Sequence, residues 1–407
     1  MSRLEALIQR YCPDGVEWKA FFDVCDLIRG ITYNKDQEAK SPINAHKVLR
    51  ANNITLNLNT LNFDDVKLVS KDVVVKPTQH LYAGDILMCA GSGSKEHVGK
   101  VAYIAQNIDY TFGGFMAVVR CKETLLPRYM FHILTSSYFS NHLDVQINSS
   151  TINNINKQVM QSFEIPVPPM PVQEEIVRIL DSFTELQAEL QAELQKRKQQ
   201  YNYYRDNLLS FSGRPDVKWM KLGDIGKVCM CKRIMKDQTS PTGDVPFFKI
   251  GTFGGDADAY ISQTLFEEYK AKFSYPQKGD ILISAAGTIG RTVVFDGTPA
   301  YFQDSNIVWL KHNERIVLNP FLKYCYALNP WVVSTGGTIA RLYNDNILNA
   351  VIPVPSLTEQ QEIVDILDRF DTLTNDLTTG LPAEIEKRQQ QYEYYRDRLL
   401  TFKRIDA

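Results

Sequence analysis

This chain of 407 residues has no long apolar run. No stretch approaches the ~20 residues that span a bilayer. The opening MSRLEALIQRYC lacks the apolar core of a secretory signal. A cytoplasmic protein with no membrane partner is expected. A basic excess is also missing: 45 Lys and Arg stand against 47 Asp and Glu, a formal net charge of −2. A freestanding nucleic-acid binder is usually more basic. Any such contact must come from locally arranged cations or from partner subunits. The seven cysteines fall at 12, 25, 89, 121, 229, 231 and 325. Only Cys229 and Cys231 are close, and no second pair with zinc-ligand spacing accompanies them. Reduced thiols are expected, and no metal site. The six histidines are dispersed.

Catalytic signatures are absent too. AGSGSKEHVGK (90–100) and AAGTIGR (285–291) match neither a P-loop nor a dinucleotide fingerprint. PDGVEWK (13–19) resembles a nuclease signature, but its acids lie too close together for two strands. Asn319-Pro320-Phe321 and Asn329-Pro330-Trp331 lack the second proline of the adenine methyltransferase motif, and TFGGF (111–115) is a poor companion to it. They read as turn and helix-start residues. No enzyme activity is expected of the chain.

What the sequence does contain is a repeat. YNYYRDNLLSF (201–211) returns as YEYYRDRLLTF (392–402), and IPVP (165–168) as IPVP (352–355). Gln173, Glu175, Ile176, Val177, Ile179, Leu180, Asp181 and Phe183 match Gln360, Glu362, Ile363, Val364, Ile366, Leu367, Asp368 and Phe370. Upstream, Thr151-Ile152 matches Thr338-Ile339, GDIL at 84–87 matches 279–282, and PDGVEWK answers PDVKW (215–219). The offset grows from 187 to 191 near TTGLPAEI (378–385), so the second copy carries four extra residues there.

After each IPVP, apolar residues recur at sevens: Ile176, Phe183 and Leu190; Leu194, Tyr201 and Leu208; Ile363, Phe370 and Leu377; Ile385, Tyr392 and Leu399. That spacing marks helices with a coiled-coil seam. The first should run from about 171 to 211, roughly 60 Å at ~1.5 Å per residue. Thr358 with Gln361 suits the start of the second, and Gly380-Leu381-Pro382 should break it. A lone helix of that length cannot bury its stripe, so the two copies are expected to pack antiparallel. SRLEALIQRYCPDGVEW at the start resembles RDNLLSFSGRPDVKW after the first long helix, which suggests a circular plan.

The regions between the helices read as α+β. KLVSKDVVV (67–75), GDILMCA (84–90), KVAYIA (100–105), GDILISAAG (279–287), TVVFDG (292–297) and IVWLK (307–311) look like strands. PRYMFHILTSSYFSNHL (127–143) and NPFLKYCYALNPWVV (319–333) look helical. The expected division is residues 1–164 as a first recognition domain with its N-terminal helix, 165–213 as a central helix, 214–351 as a second domain and 352–407 as a C-terminal helix.

The duplicated IPVP block, QAELQAELQ before QQYNYYRDNLL, GLPAEIEKRQQQYEYYRDRLL and LIQRYCPDGVEW together resemble the specificity subunit of type I restriction–modification enzymes. The resemblance covers essentially the whole chain. It implies two target-recognition domains, pseudo-twofold and circularly arranged, each reading half of a bipartite, asymmetric site on double-stranded DNA. The helices set the spacer. Two methyltransferase subunits and motor–nuclease restriction subunits are the implied partners, and S-adenosylmethionine, ATP and Mg2+ belong to them. DNA contact is expected from polar loop residues: Arg50, Asn52, Ser92, Ser94, Lys95 and Lys157 in the first domain, and Lys249, Thr252, Thr288, Arg291 and Arg341 in the second. Partner docking is expected at Tyr203, Tyr204, Arg205, Tyr394, Tyr395 and Arg396. The alternative is a protein–protein scaffold, a coiled coil carrying two binding domains.

Overall fold

The computed structural model of the protein describes residues 2–56, 58–147, 154–333, 340–376 and 378–405. It divides into two compact units, Met1–Gln191 with Glu384–Ala407, and Ala192–Ala383.

In the first unit a four-stranded antiparallel sheet runs in the order Cys25–Arg29, Met116–Cys121, Ile86–Cys89, Val101–Tyr103. A three-stranded sheet orders Lys67–Ser70, Ala45–Leu49 and Thr111–Phe112, the last pair being parallel. The second unit repeats the plan. Its larger sheet runs Lys227–Cys229, Ile307–Lys311, Ile281–Ser284, Thr292–Val294. Its smaller sheet runs Tyr260–Ile261, Val245–Phe248, Tyr301–Phe302, again with a parallel last pair.

The duplicated GDIL explains why these sheets form alike. Ile86–Cys89 and Ile281–Ser284 are apolar enough to be buried on both faces, and they are. The aspartate before each strand locks the turn. Asp85 accepts from Tyr82 N at 2.9 Å and holds Arg120 at 2.7 Å through both oxygens. Asp280 accepts from Gln277 N at 2.8 Å. The remaining repeats also pair identically. Glu17–Ala20 lies antiparallel to Glu164–Val167 with Trp18 opposite Pro166. Lys218–Lys221 lies antiparallel to Val351–Val354 with Trp219 opposite Pro353.

Some elements differ from the expectation. The strand at 67 ends at Ser70, where Ser70 Oγ bonds Asp72 and Val73 N closes a turn onto Ser70 O. PRYMFHILTSSYFSNHL forms two helices, Pro127–Leu134 and Ser137–Ile147. Helix Asn319–Ala327 stops before 333, because Asn329 takes φ +51° and Pro330 follows. Helix Gln263–Lys272, capped by Ser262 accepting from Leu265 N at 3.3 Å, was not foreseen.

The central helix spans Met170–Ser210 without interruption, 41 residues. The C-terminal region forms two helices, Leu357–Asn375 and Leu381–Leu399, so the break falls where Gly380 and Pro382 place it. A Cβ on Gly380 would lie 2.5 Å from Thr372 O and 2.7 Å from Asp376 O, so only glycine fits under the end of the preceding helix. The cap of that helix is Ser356, which accepts from Glu359 N at 3.2 Å, and not Thr358, which lies inside the first turn. Position 377 lies outside the described residues.

Within the first unit, the N-terminal part of the central helix packs antiparallel to Leu381–Leu399. Phe183 stacks on Tyr395 at 5.5 Å, and Gln187 Nε2 bonds Gln389 Oε1 at 2.6 Å. Within the second unit, the C-terminal part packs in the same sense on Leu357–Asn375, with Tyr204 stacked on Phe370 at 5.3 Å. Matching i, i+4 pairs brace both: Arg197 with Glu193 at 2.7 Å and Arg388 with Glu384 at 2.8 Å. The chain ends meet within the first unit. Val16 N bonds Lys403 O at 2.9 Å, and Leu4, Tyr392 and Leu400 share one core.

Candidate nucleic-acid interface

Each sheet domain is fastened to its helix by one buried glutamine. Gln173 Oε1 accepts from Leu126 N at 2.9 Å, while its Nε2 donates to Thr124 O at 3.1 Å and Pro168 O at 2.8 Å. Gln360 does the same: Oε1 accepts from Leu318 N at 2.9 Å, and Nε2 donates to Ile316 O and Pro355 O, both at 2.9 Å. An amide alone offers one acceptor and two donor hydrogens in this geometry. Two turns further along, Asp181 accepts from His132 Nε2 at 2.9 Å and Arg128 Nε at 2.7 Å, and Tyr392 Oη lies 3.0 Å from His132 Nδ1. Burial pushes the His132 imidazole below its ordinary pKa, which the Asp181 bond opposes only in part. Tyr324 takes the place of His132 in the second unit and donates to Asp368.

These fixings hold the sheets in place, and the expected contact residues lie on the loops they carry, except Lys157, which opens the helix Lys157–Gln161. In the first domain Arg50 and Asn52 converge on Asp65, at 2.8 and 3.0 Å. Ser92, Ser94 and Lys95 share the loop after the strand Ile86–Cys89, where Ser92 Oγ accepts from Ser94 N at 3.2 Å and Lys95 pairs with Asp144 at 3.1 Å. A bridge between Gly91 and Asn154 sets this loop beside the segment that carries Lys157, whose ammonium lies 5.7 Å from the Phe22 ring centre. Residues 148–153 and 334–339 of the two polar loops, Thr338-Ile339 included, lie outside the described residues.

In the second domain Lys249, Thr252 and Arg291 meet at one turn. Thr252 Oγ1 accepts from Lys249 N at 3.1 Å, Lys249 pairs with Asp258 at 2.8 Å, and Arg291 donates to Gly254 O at 3.3 Å. Thr288 is exposed on the adjacent loop, and its carbonyl accepts from Ser284. Arg341 donates to Ser305 O at 2.7 Å. Lys249 and Arg341 both line a cleft of about 590 Å³.

Sequence reading missed the other half of that cleft, Arg233 and Lys236. The signal was present: Lys-Asp-Gln at 35–37 returns at 236–238, at the offset of 201 that relates Trp18 to Trp219. Both form a tight turn closed by the glutamine, Gln37 Oε1 accepting from Asn34 N and Gln238 Oε1 from Met235 N, each at 2.8 Å. Charge is also separated along the chain. Residues 214–351 hold 16 Lys and Arg against 13 Asp and Glu, and residues 1–164 hold 17 against 16, while the two helical segments hold 12 against 18. The near-neutral total hides a basic second domain and acidic helices.

The YYRD motifs split into packed and outward residues. Tyr204 and Tyr395 lie against Phe370 and Phe183. Tyr203 and Tyr394 point outward, 66% and 60% exposed. Arg205 pairs with Asp206, and buried Arg396 with Asp397, which also accepts from Ser137 N at 3.2 Å. Among the described residues no group of His, Cys, Asp and Glu is arranged to hold a metal, and no helix is long and apolar enough to cross a membrane.

Comparison with known proteins agrees with this duplicated architecture. Residues 13–197 and 215–387 each match the type I restriction modification DNA specificity domain. The chain is 49% identical over 328 residues to a putative type I restriction enzyme specificity subunit of Haemophilus influenzae, covering 75% of this chain and 84% of that one. It is 37% identical over 269 residues to the EcoR124I/EcoR124II specificity subunit of Escherichia coli, covering 61% of this chain and 65% of that one. In fold it is similar to a chain solved in work on complex assembly and conformational transition of the type I R-M system, with a TM-score of 0.59 at 18% identity over 95% of this chain and 98% of that one. It is also similar to the type I restriction-modification S subunit of M. genitalium, with a TM-score of 0.53 at 14% identity over 95% and 96%. With both repeats matched and the same fold built twice, the chain belongs to the type I restriction–modification DNA specificity family and carries two copies of its domain.

Proposed function

We propose that this chain supplies the sequence specificity of a cytoplasmic type I restriction–modification complex and performs no chemistry itself. Each domain reads one half of a split, asymmetric site on double-stranded DNA. The observation that carries this reading is one topology built twice with different side chains at equivalent loop positions. Arg50 and Lys249 each follow the strand that pairs in parallel with Thr111–Phe112 or Tyr301–Phe302. Asn154 and Arg341 precede the residues whose amides bond Ala90 O and Ala285 O. Equal scaffolds with unequal loops read unequal sequences. Backbone phosphates position such a domain, and side chains in the grooves specify bases. Replacing residues 214–351 with the same region of another family member tests the division of labour. One half of the methylated motif is then expected to change while the other is kept; a change in both halves contradicts it.

Two equal YYRD faces suit two copies of one partner. We assign these faces to two methyltransferase subunits, with motor–nuclease subunits joining them. S-adenosylmethionine, ATP and Mg2+ belong to those partners. An exposed tyrosine at the centre of an interface is commonly worth ~2 kcal/mol or more, about 30-fold in affinity. Tyr394→Ala is therefore expected to leave a complex with one methyltransferase subunit in native mass spectrometry, and Tyr203→Ala with Tyr394→Ala to leave none. Two subunits retained by the double variant would overturn this assignment.

A further inference from the structure

The two domains are not equally equipped to hold the DNA backbone. In the second, Arg233, Lys236, Lys249 and Arg341 line one cleft. Arg233 is held in place by Asp304 at 2.9 Å, Lys249 by Asp258 at 2.8 Å, and Arg341 by Ser305 O at 2.7 Å. Among the described residues, Asp304 is the one carboxylate in the cleft lining. The first domain repeats only part of this. Lys35 corresponds to Lys236 through the repeated turn, and Arg50 to Lys249 through the parallel strand pair. Thr32 stands where the second domain has Arg233, and Asn154 where it has Arg341. Arg29, which lies nearby, is already spent on Asn154 Oδ1 at 2.9 Å and on the carbonyl of Ile155.

We propose that the cleft of Arg233, Lys236, Lys249 and Arg341 is a phosphate clamp that anchors the second half-site; the first domain has cations at two of the four equivalent places. The inference rests on the reading that the chain binds DNA. Surface ion pairs such as Lys249–Asp258 contribute little and exchange readily for phosphate. Each phosphate neutralised releases condensed counterions, which gives affinity a measurable salt dependence.

The experiment uses the full chain assembled with its methyltransferase subunits and two probes, a mixed-sequence duplex and a duplex carrying the methylated motif. Affinity is measured across a salt series. Arg233→Gln with Arg341→Gln is expected to lower the slope of log affinity against log salt by about 1.8, at ~0.9 per contact. It should weaken both duplexes by the same factor. Lys272→Gln, on the helix Gln263–Lys272 and paired with Glu268, is expected to leave the slope unchanged. The altered arginines lie at the surface or half-buried, and an unchanged thermal transition certifies the fold. An unaltered slope in the double variant overturns the clamp. So does a loss confined to the motif duplex, which would mean base reading, or an equal fall with Lys272→Gln, which would mean net charge alone. If the unaltered complex binds neither duplex, the DNA reading falls with it; binding by the unaltered complex with unaltered variant slopes removes the clamp alone.

Discussion

Gln360→Met is expected to cost the second unit about 3–6 kcal/mol, read as a large drop in its urea midpoint. Methionine nearly conserves volume, so no cavity opens. What is lost is the partner of three backbone groups: Leu318 N–H, Ile316 C=O and Pro355 C=O. Gln360 and its bond to Pro355 O are fully buried, while the bonds to Leu318 N and Ile316 O are part-buried, so water offsets some of their loss. Each buried group left unpaired costs ~1–3 kcal/mol. Gln360→Glu should not rescue, because a carboxylate accepts but cannot donate to the two carbonyls. Gln173→Met should act equally on the first unit, where the same three bonds recur. A loss below about 1 kcal/mol in either would show that the fastening lies elsewhere.

Deleting Gln191–Leu194 is expected to change the target itself. Four helical residues span ~6 Å and turn the following helix by ~40° beyond a full turn. A base pair rises ~3.4 Å along DNA. The gap between half-sites should shorten by one to two base pairs, about one helical step of the spacer. Methylation of the original motif should fall at least about 100-fold, because a wrong gap misaligns every contact of one half-site at ~1–3 kcal/mol per mismatched pair. The central helix runs unbroken through this segment, so the deletion has no loop in which to vanish. The C-terminal region already carries its interruption between Asn375 and Leu381, where the second repeat holds its four extra residues. An unchanged gap in the methylated motif would remove the helix from the role of ruler.

Much of this fold was legible because the repeat let each half check the other. The central helix, its antiparallel packing and the meeting of the chain ends followed from sevenfold spacing and matched motifs, and the break from Gly380-Leu381-Pro382. The cap at Ser356 was misplaced by two residues, because Thr358 and Gln361 imitate a capping box inside the first turn. Helix Gln263–Lys272 escaped because it has no counterpart to compare with and only Phe266 is fully buried. Matching glutamines at 173 and 360 were visible as identities. Their role was not, since Thr124 O and Ile316 O, which they hold, lie 49 and 44 residues away along the chain. The cationic cleft was half legible. Lys249 and Arg341 sit in recognisable loops, but Arg233 and Lys236 join them only through the fold of the smaller sheet.

On the function proposed here, this chain dictates where its complex methylates DNA. The direct measurement is methylome sequencing of cells carrying the cognate methyltransferase subunit with and without this chain. A split, asymmetric adenine-methylated motif that appears only when the chain is present is the predicted result. No new motif, in cells where the assembled complex is recovered intact, would contradict it and favour a scaffold that holds partners together without reading sequence.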